Sequence, residues 1–404
     1  MAASLTPAPP QQQQQQQQQV SFDAELTVLI DLALRLVREL AQPTPTATNA
    51  ADSSSSAAAA EPTDSSSSSP APPYNPASFR AAIKNGANVL SHNATKLSLI
   101  APEKSADTPK IIYEMRTAVL HITAVISSVP PHLGTSLQSE IRAKTTSLLY
   151  DVAALANRFM SVPRTLDTGV GGAAGVGYMS STGLVWKACE VLEEMSMTNG
   201  EAAAKKVASR VELVQDAIDE VQQALEGAGG GADGHDGWGE LVGDHDDADD
   251  DDDFGSAGEM TAVEKELATK CLTIMKAAKL LLRKTSRTLP TDANASSSSS
   301  SALASSVLAR DVEEERGRMQ DELARLADQT SRHVDDLVAC IEPGIHVSEL
   351  AEAAGLLAGT CSDVVSLAKA LAQDDDEQAA KWLDMCGAQV TKVLEEILSR
   401  RTVR

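Results

Sequence analysis

The sequence predicts an all-α protein built as two antiparallel helical bundles with disordered low-complexity insertions. Three observations predict it. Apolar residues make up 42% of the 404-residue chain, but aromatic residues only 3%, so a core must be built mainly from Ala, Leu and Val. Small and branched aliphatic side chains interdigitate between close helix axes, whereas a sheet core draws on β-branched and aromatic residues in alternation. The apolar positions recur at alternating three- and four-residue steps. Proline and capping residues punctuate the chain where those stripes begin and end.

The stripes come in order along the chain. Leu26, Leu29, Ala33, Leu36 and Leu40 form the first; Ile112, Met115, Val119, Ile122 and Ile126 form another, followed by Leu148, Val152, Leu155 and Phe159. The cleanest is Val207, Val211, Val214, Ile218, Val221 and Leu225. Leu267, Cys271, Ile274, Ala278 and Leu281 come next, and Leu383, Cys386, Val390, Val393 and Ile397 close the series. This spacing sets one narrow apolar seam on each helix, and no period-two pattern competes with it. Asn75-Pro76 and Thr108-Pro109 place a capping side chain before a first-turn proline. Thr198-x-x-Glu201 and Thr261-x-x-Glu264 read as capping boxes. Pro130-Pro131, Pro163, Pro290 and Pro343-Gly344 read as stops. The expected helices are 21–41, 76–100, 109–129, 134–161, 183–196, 199–227, 260–288, 303–341, 345–373 and 376–401, with short connections that favour antiparallel neighbours.

Between them lie segments whose composition cannot offset the entropy of ordering: 1–19 with its Gln tract, the Pro/Ser/Ala stretch 42–73, the acidic 229–258, and the Ser-rich 290–302. A shorter glycine loop spans Gly169 to Gly177. The expected organisation is therefore a disordered tail 1–19, an N-terminal helix 20–41, a linker 42–73, a bundle 74–228, an acidic linker 229–258 and a second bundle 259–404. The acidic linker is expected to act as the hinge between the two halves.

Charge narrows the function. The formal net charge is −23. Asp244, Asp246, Asp247, Asp249, Asp250, Asp251, Asp252 and Asp253 concentrate much of it in one run. Duplex binding needs clustered cations against phosphate, and no such cluster stands out, so direct nucleic-acid recognition is not expected. The acidic run does not make an EF-hand. A loop starting at Asp249 would place Phe254 where glycine must turn and Met260 where a bidentate Glu belongs. It reads as a solvated segment or as one that docks a basic partner patch.

Chemistry is equally sparse. The five cysteines are odd in number and widely spaced, which favours reduced thiols in helix cores and a cytosolic or nuclear setting. The N-terminus has no charged start followed by an apolar core, and no apolar run approaches the ~20 residues of a bilayer span. The glycine loop lacks the Lys-Ser/Thr of a P-loop and follows a helix, not a strand. No histidine pair has the spacing of a di-iron or zinc site, and there is no nucleophile elbow. The expectation is a non-enzymatic protein with no catalytic residues, metal or cofactor. It would work through protein partners, with the stripe Val207 to Leu225 the candidate partner-binding face.

Three local strings carry a family resemblance. The first is Gly183-Leu-Val-Trp186-Lys-Ala-Cys189-Glu-Val-Leu, followed by Asn199-Gly-Glu-Ala-Ala-Ala-Lys-Lys and Val214-Gln-Asp-Ala-Ile-Asp-Glu-Val-Gln-Gln-Ala-Leu. The second is the acidic insertion after that helix. The third is Glu264-Lys-Glu-Leu-Ala-Thr-Lys-Cys271-Leu-Thr-Ile-Met-Lys-Ala-Ala-Lys279, with Val334-Asp-Asp-Leu-Val-Ala-Cys-Ile-Glu-Pro343 later. Across most of 76–400 the chain resembles the cyclin-D-binding proteins, also called Grap2- and cyclin-D-interacting proteins. The resemblance implies two bundles broadly similar to those of vinculin and catenin, and helix-mediated binding of cell-cycle or transcription regulators, cyclin-like or helix-loop-helix proteins among them. It also implies a nuclear and cytoplasmic location. A structural bundle linking cytoskeletal or membrane complexes is the alternative.

Overall fold

The apolar stripes fold as helices, and their buried edges coincide with the residues that define them. A computed structural model describes residues 10–42, 74–100, 107–161, 173–227, 260–289, 306–342, 344–371 and 377–401. The protein is all-α. Among these residues there are ten α-helices, one 3₁₀ turn at Pro131–Leu133 and no strand. The helices are α1 Pro10–Ala41, α2 Pro76–Ile100, α3 Thr108–Ser127, α4 Thr135–Ser161, α5 Ala173–Glu193, α6 Asn199–Gly227, α7 Ala262–Thr288, α8 Ser306–Ala339, α9 Val347–Leu371 and α10 Glu377–Arg401.

Local chemistry sets most of the starts. Asn75 Oδ1 accepts the backbone N–H groups of Ala77 and Ser78 at 3.0 and 3.2 Å, capping α2. Thr261 and Glu264 form the expected reciprocal box at the head of α7. Thr198 Oγ1 accepts from Glu201 N–H at 3.2 Å and caps α6. Thr108 behaves differently from the expectation: it is the first residue inside α3, Asp107 takes the cap position without a side-chain bond, and Thr108 is buried.

Two expected irregular stretches are partly helical. Gln11 to Gln19, placed in a disordered tail, lie within α1. Glutamine is a good helix former, and Pro10 suits a first helical position, so the helix anchored by Phe22, Leu26, Leu29 and Ala33 extends back through the tract. The glycine loop is also shorter than expected, because α5 begins at Ala173 and takes in Gly175 and Gly177. The stretches 43–73, 228–259 and 290–305 lie outside the described residues, and with them all of the acidic run Asp244 to Asp253.

The helices gather into two units, Met1–Met197 and Thr198–Arg404. The division falls just before α6, not in the acidic stretch where the sequence placed it. In the first unit α1 packs on α4 and α3, α2 on α3 and α5, and α4 on α5. The N-terminal helix is thus part of this core, with Leu26, Leu29 and Ala33 fully buried. Gly86 permits the close approach of α2 to α3, since a Cβ there would lie 2.6 Å from Ile122 Cγ1.

In the second unit α6 packs on α7 and α8, and α9 on α7, α8 and α10. The helices are not all antiparallel to their neighbours. Asn199 Nδ2 donates to Gly317 O at 3.1 Å and Asp321 Oδ1 at 3.0 Å, and Arg210 Nε meets Asp328 Oδ1 at 2.5 Å, so α6 and α8 run parallel. Helix α7, inserted between them in sequence, makes that possible. Helix α9 is long and apolar enough, by length and composition, to cross a membrane, which the sequence reading did not anticipate. Half of that stretch is buried inside the protein, with Leu350, Ala354, Leu357, Cys361 and Val364 facing the core.

Candidate interaction surface

The stripe singled out on α6 is not a free surface. Val207, Val214, Ile218 and Val221 are buried in the core of the second unit, and Val211 and Leu225 pack against the same core, half-buried. The reason is the parallel pairing with α8 and the antiparallel hairpin with α7, which cover the seam from both sides. Docking a partner through these six residues would require α6 to leave its unit.

Part of the exposed apolar surface of the first unit lies along the flank where α2 meets α5. Thr182 and Ser98 share a buried hydroxyl–hydroxyl bond, Trp186 Nε1 donates to Thr95 Oγ1 at 3.0 Å, and Lys84 pairs with Glu193 at 3.9 Å. Rising positions on α5 match falling ones on α2, so the two helices are antiparallel. The indole bond fixes Trp186 on the α2 flank and leaves it 38% exposed. Met179, two turns earlier on the same side of α5, is 52% exposed, and Leu99, one turn beyond Thr95 on α2, is 68% exposed. Three large apolar side chains thus line one seam. Aromatic and Met side chains that are held in place yet exposed are the usual anchors of a protein interface.

Trp186 belongs to a motif legible in the sequence, but its place on this surface is set by packing. The signal was present: Leu99 stands off the α2 stripe of Leu90, Ala94 and Leu97, and an apolar residue out of register with its helix's buried face is left in solvent. The partner of the motif, Cys189, has a different role. It is buried, and burial, aided by Glu193 and Glu190, pushes its thiol up to about 12. Burial does the same for Cys271 and Cys361. These are protonated core thiols at neutral pH, poor nucleophiles and poor ligands.

His333, Asp336, Cys340, Glu349 and Glu352 line a shallow cleft between α8 and α9. His333 Nδ1 shares a hydrogen bond with Thr360 Oγ1 at 3.0 Å. No group of three or more His, Cys, Asp or Glu among the described residues could hold a metal ion.

Residues 82–227 match the family model described as Grap2 and cyclin-D-interacting, N-terminal, and residues 245–366 match its C-terminal counterpart. The chain belongs to the Grap2- and cyclin-D-interacting family. The N-terminal match ends with α6, so in this chain the first sequence module contributes a helix to the second packing unit; α1 and α10 lie outside both matches. Among curated relatives, the chain is 25% identical to a cyclin-D1-binding protein 1 homolog of Danio rerio over 331 residues, covering 80% of this chain and 86% of that one. It is 26% identical to the Xenopus laevis homolog over 224 residues, 52% of this chain and 60% of the relative. It is 25% identical to cyclin-D1-binding protein 1 of Mus musculus over 276 residues, 66% and 67% of the two chains. The family is one of protein-binding proteins, and a protein-interaction role follows for this chain.

Proposed function

We propose that this chain is a non-enzymatic regulator of cell-cycle progression or transcription, acting in the nucleus and cytoplasm by binding or sequestering partner proteins. The observation that carries the reading is the match of both family modules along one chain, to relatives named for binding cyclin D1. Two features support it. The anchors Leu99, Met179 and Trp186 give the first unit an exposed apolar seam, and the chain's net negative charge disfavours direct contact with nucleic acid, so any effect on transcription passes through another protein. The partner classes that fit are cyclin-like proteins and helix-loop-helix proteins.

Calorimetric titration of the purified full chain with a purified D-type cyclin, and separately with a helix-loop-helix protein, tests the proposal. Saturable binding of either at micromolar or tighter affinity supports it. Absence of binding to both, with the chain folded by circular dichroism, removes its basis.

A further inference from the structure

Helix α7 reverses the charge of the protein around it. It carries seven Lys and Arg against two Glu, in a chain of net charge −23. Both glutamates lie in its first turns, where Glu264 caps the helix and Glu266 pairs with Arg400. From Lys276 onward it holds only cations.

The spacing of those cations places them together. Lys276, Leu280, Arg283 and Arg287 follow one another by four, three and four residues, so they share one face over roughly 17 Å of helix. Lys284 flanks the same face one turn after Leu280. All four cations are exposed, and Leu280 in their midst is 50% exposed. Among the described residues none of the four takes part in an ion pair. Three acids on the adjoining helices have partners of their own: Asp219 accepts from Gln215, Glu396 pairs with Lys270, and Asp384 with Lys369.

Helix α10 extends the face. The pairs Glu266–Arg400 and Lys270–Glu396 move four residues forward on α7 for four back on α10. That antiparallel register brings Leu280 level with Cys386 and so within one residue of Met385, which is 63% exposed, with Lys392 two turns further along the same side of α10. Two apolar anchors thus sit side by side, framed by five cations.

We propose that this surface of α7 and α10 docks an acidic amphipathic helix of a partner protein. The reading rests on the chain being a partner-binding protein and specifies the chemistry of one partner. A helix with two or three apolar residues on one side and Asp or Glu beside them buries Leu280 and Met385 while its carboxylates meet Lys276, Arg283, Lys284 and Arg287. A nucleic-acid backbone offers the cations a match but offers Leu280 and Met385 none, and the net charge of the chain opposes its approach.

The test uses the full chain and a fluorescent acidic peptide of about four helical turns with Leu on one face and Glu beside it. Its controls are a scrambled peptide of identical composition and a short DNA duplex. Fluorescence anisotropy at about 0.15 M salt should show saturable binding of the amphipathic peptide, with the scramble and the duplex at least about tenfold weaker. Lys276→Glu with Arg283→Glu should weaken it by about a hundredfold and Leu280→Ala by about tenfold, without altering the thermal transition, because all three side chains are exposed. Equal binding of the scramble would reduce the surface to diffuse charge attraction. Tighter binding of the duplex would make it a nucleic-acid site, and unaltered affinity in the variants would place the peptide elsewhere. A gain of more than about tenfold on replacing Asp244 to Asp253 by Asn would assign the surface to the chain's own acidic run instead. Failure of the peptide with success of the cyclin or helix-loop-helix titration would overturn this proposal alone.

Discussion

The carboxylate of Glu264 reaches across the second unit to the backbone of Gly344: Oε1 accepts the N–H groups of Gly344 and Ile345 at 2.9 and 3.1 Å, while Oε2 accepts that of Thr261 at 2.7 Å. One side chain thus caps α7 and latches the turn between α8 and α9, where Gly344 holds a φ of 91° that favours glycine. The backbone bond of Thr261, then its hydroxyl, and then Gly344 and Ile345 hold the Glu264 carboxyl below its ordinary value. A depressed folded-state pKa stabilises the protein above the unfolded value and loses that contribution as pH falls through the folded one. Glu264→Gln should therefore lower the Tm at neutral pH, and the gap to the parent should close as the solution is acidified below the ordinary carboxylate range. A gap that stays constant across that range would show that the charge of Glu264 contributes nothing.

Asp328 links α8 to α6 through two cations, Lys206 at 2.6 Å and Arg210 at 2.5 Å. Burial alone would raise its pKa, but hydrogen bonds and charge from Lys206 and Arg210 prevail and lower it. Since the carboxylate is mostly covered while both cations are partly in solvent, Asp328→Asn should cost about 1–2 kcal/mol, measured by urea unfolding. Arg210→Met in the Asp328→Asn background should then cost less than in the parent, because the two residues share one interaction.

Gly86 is required by packing, not by its backbone angles. Alanine gains up to about 1 kcal/mol in helix propensity at such a site. Its Cβ would nevertheless meet Ile122 Cγ1 at 2.6 Å, and overpacking of this kind costs about 1–3 kcal/mol. Gly86→Ala should be destabilising alone and should recover part of its loss when combined with Ile122→Ala, a non-additivity that a double-mutant cycle reads directly.

Adjacent residues on α6 separate the two meanings of its stripe. Val214 is fully buried, whereas Leu213 beside it is 42% exposed. Val214→Ala should destabilise the second unit by about 1–3 kcal/mol, and Leu213→Ala should stay within about 0.5 kcal/mol. Were the stripe a docking face, Val214→Ala would leave the unfolding transition in place and weaken partner binding alone.

The helices were legible because their signals are local. The three–four spacing of Val207 to Val221 and the Thr261–Glu264 box are contained within one or two turns, and both are found where the sequence placed them. What covers a stripe is not local. Periodicity showed that α6 has an apolar face, but only the contacts with α7 and α8 decide that the face is internal, and those helices lie beyond the acidic stretch. Composition and packing also mark different places: composition changes character at 229–258, while packing assigns α6 forward to the second unit. The exposed seam is not legible in a periodic pattern, because Leu99 and Met179 stand out of register with the buried faces of their helices.

On the proposed function, partners bind the folded surface of the protein and not a released helix. Hydrogen exchange of the full chain, alone and with a bound D-type cyclin or helix-loop-helix partner, tests this most directly. The prediction is slowed exchange confined to surface segments, residues 95–99 with 179–186 or the outer faces of α7 and α10, with the amides of α6 from Val207 to Leu225 unchanged. Faster exchange across α6 on binding, or new protection confined to it, would contradict the account and restore the α6 stripe as the binding face.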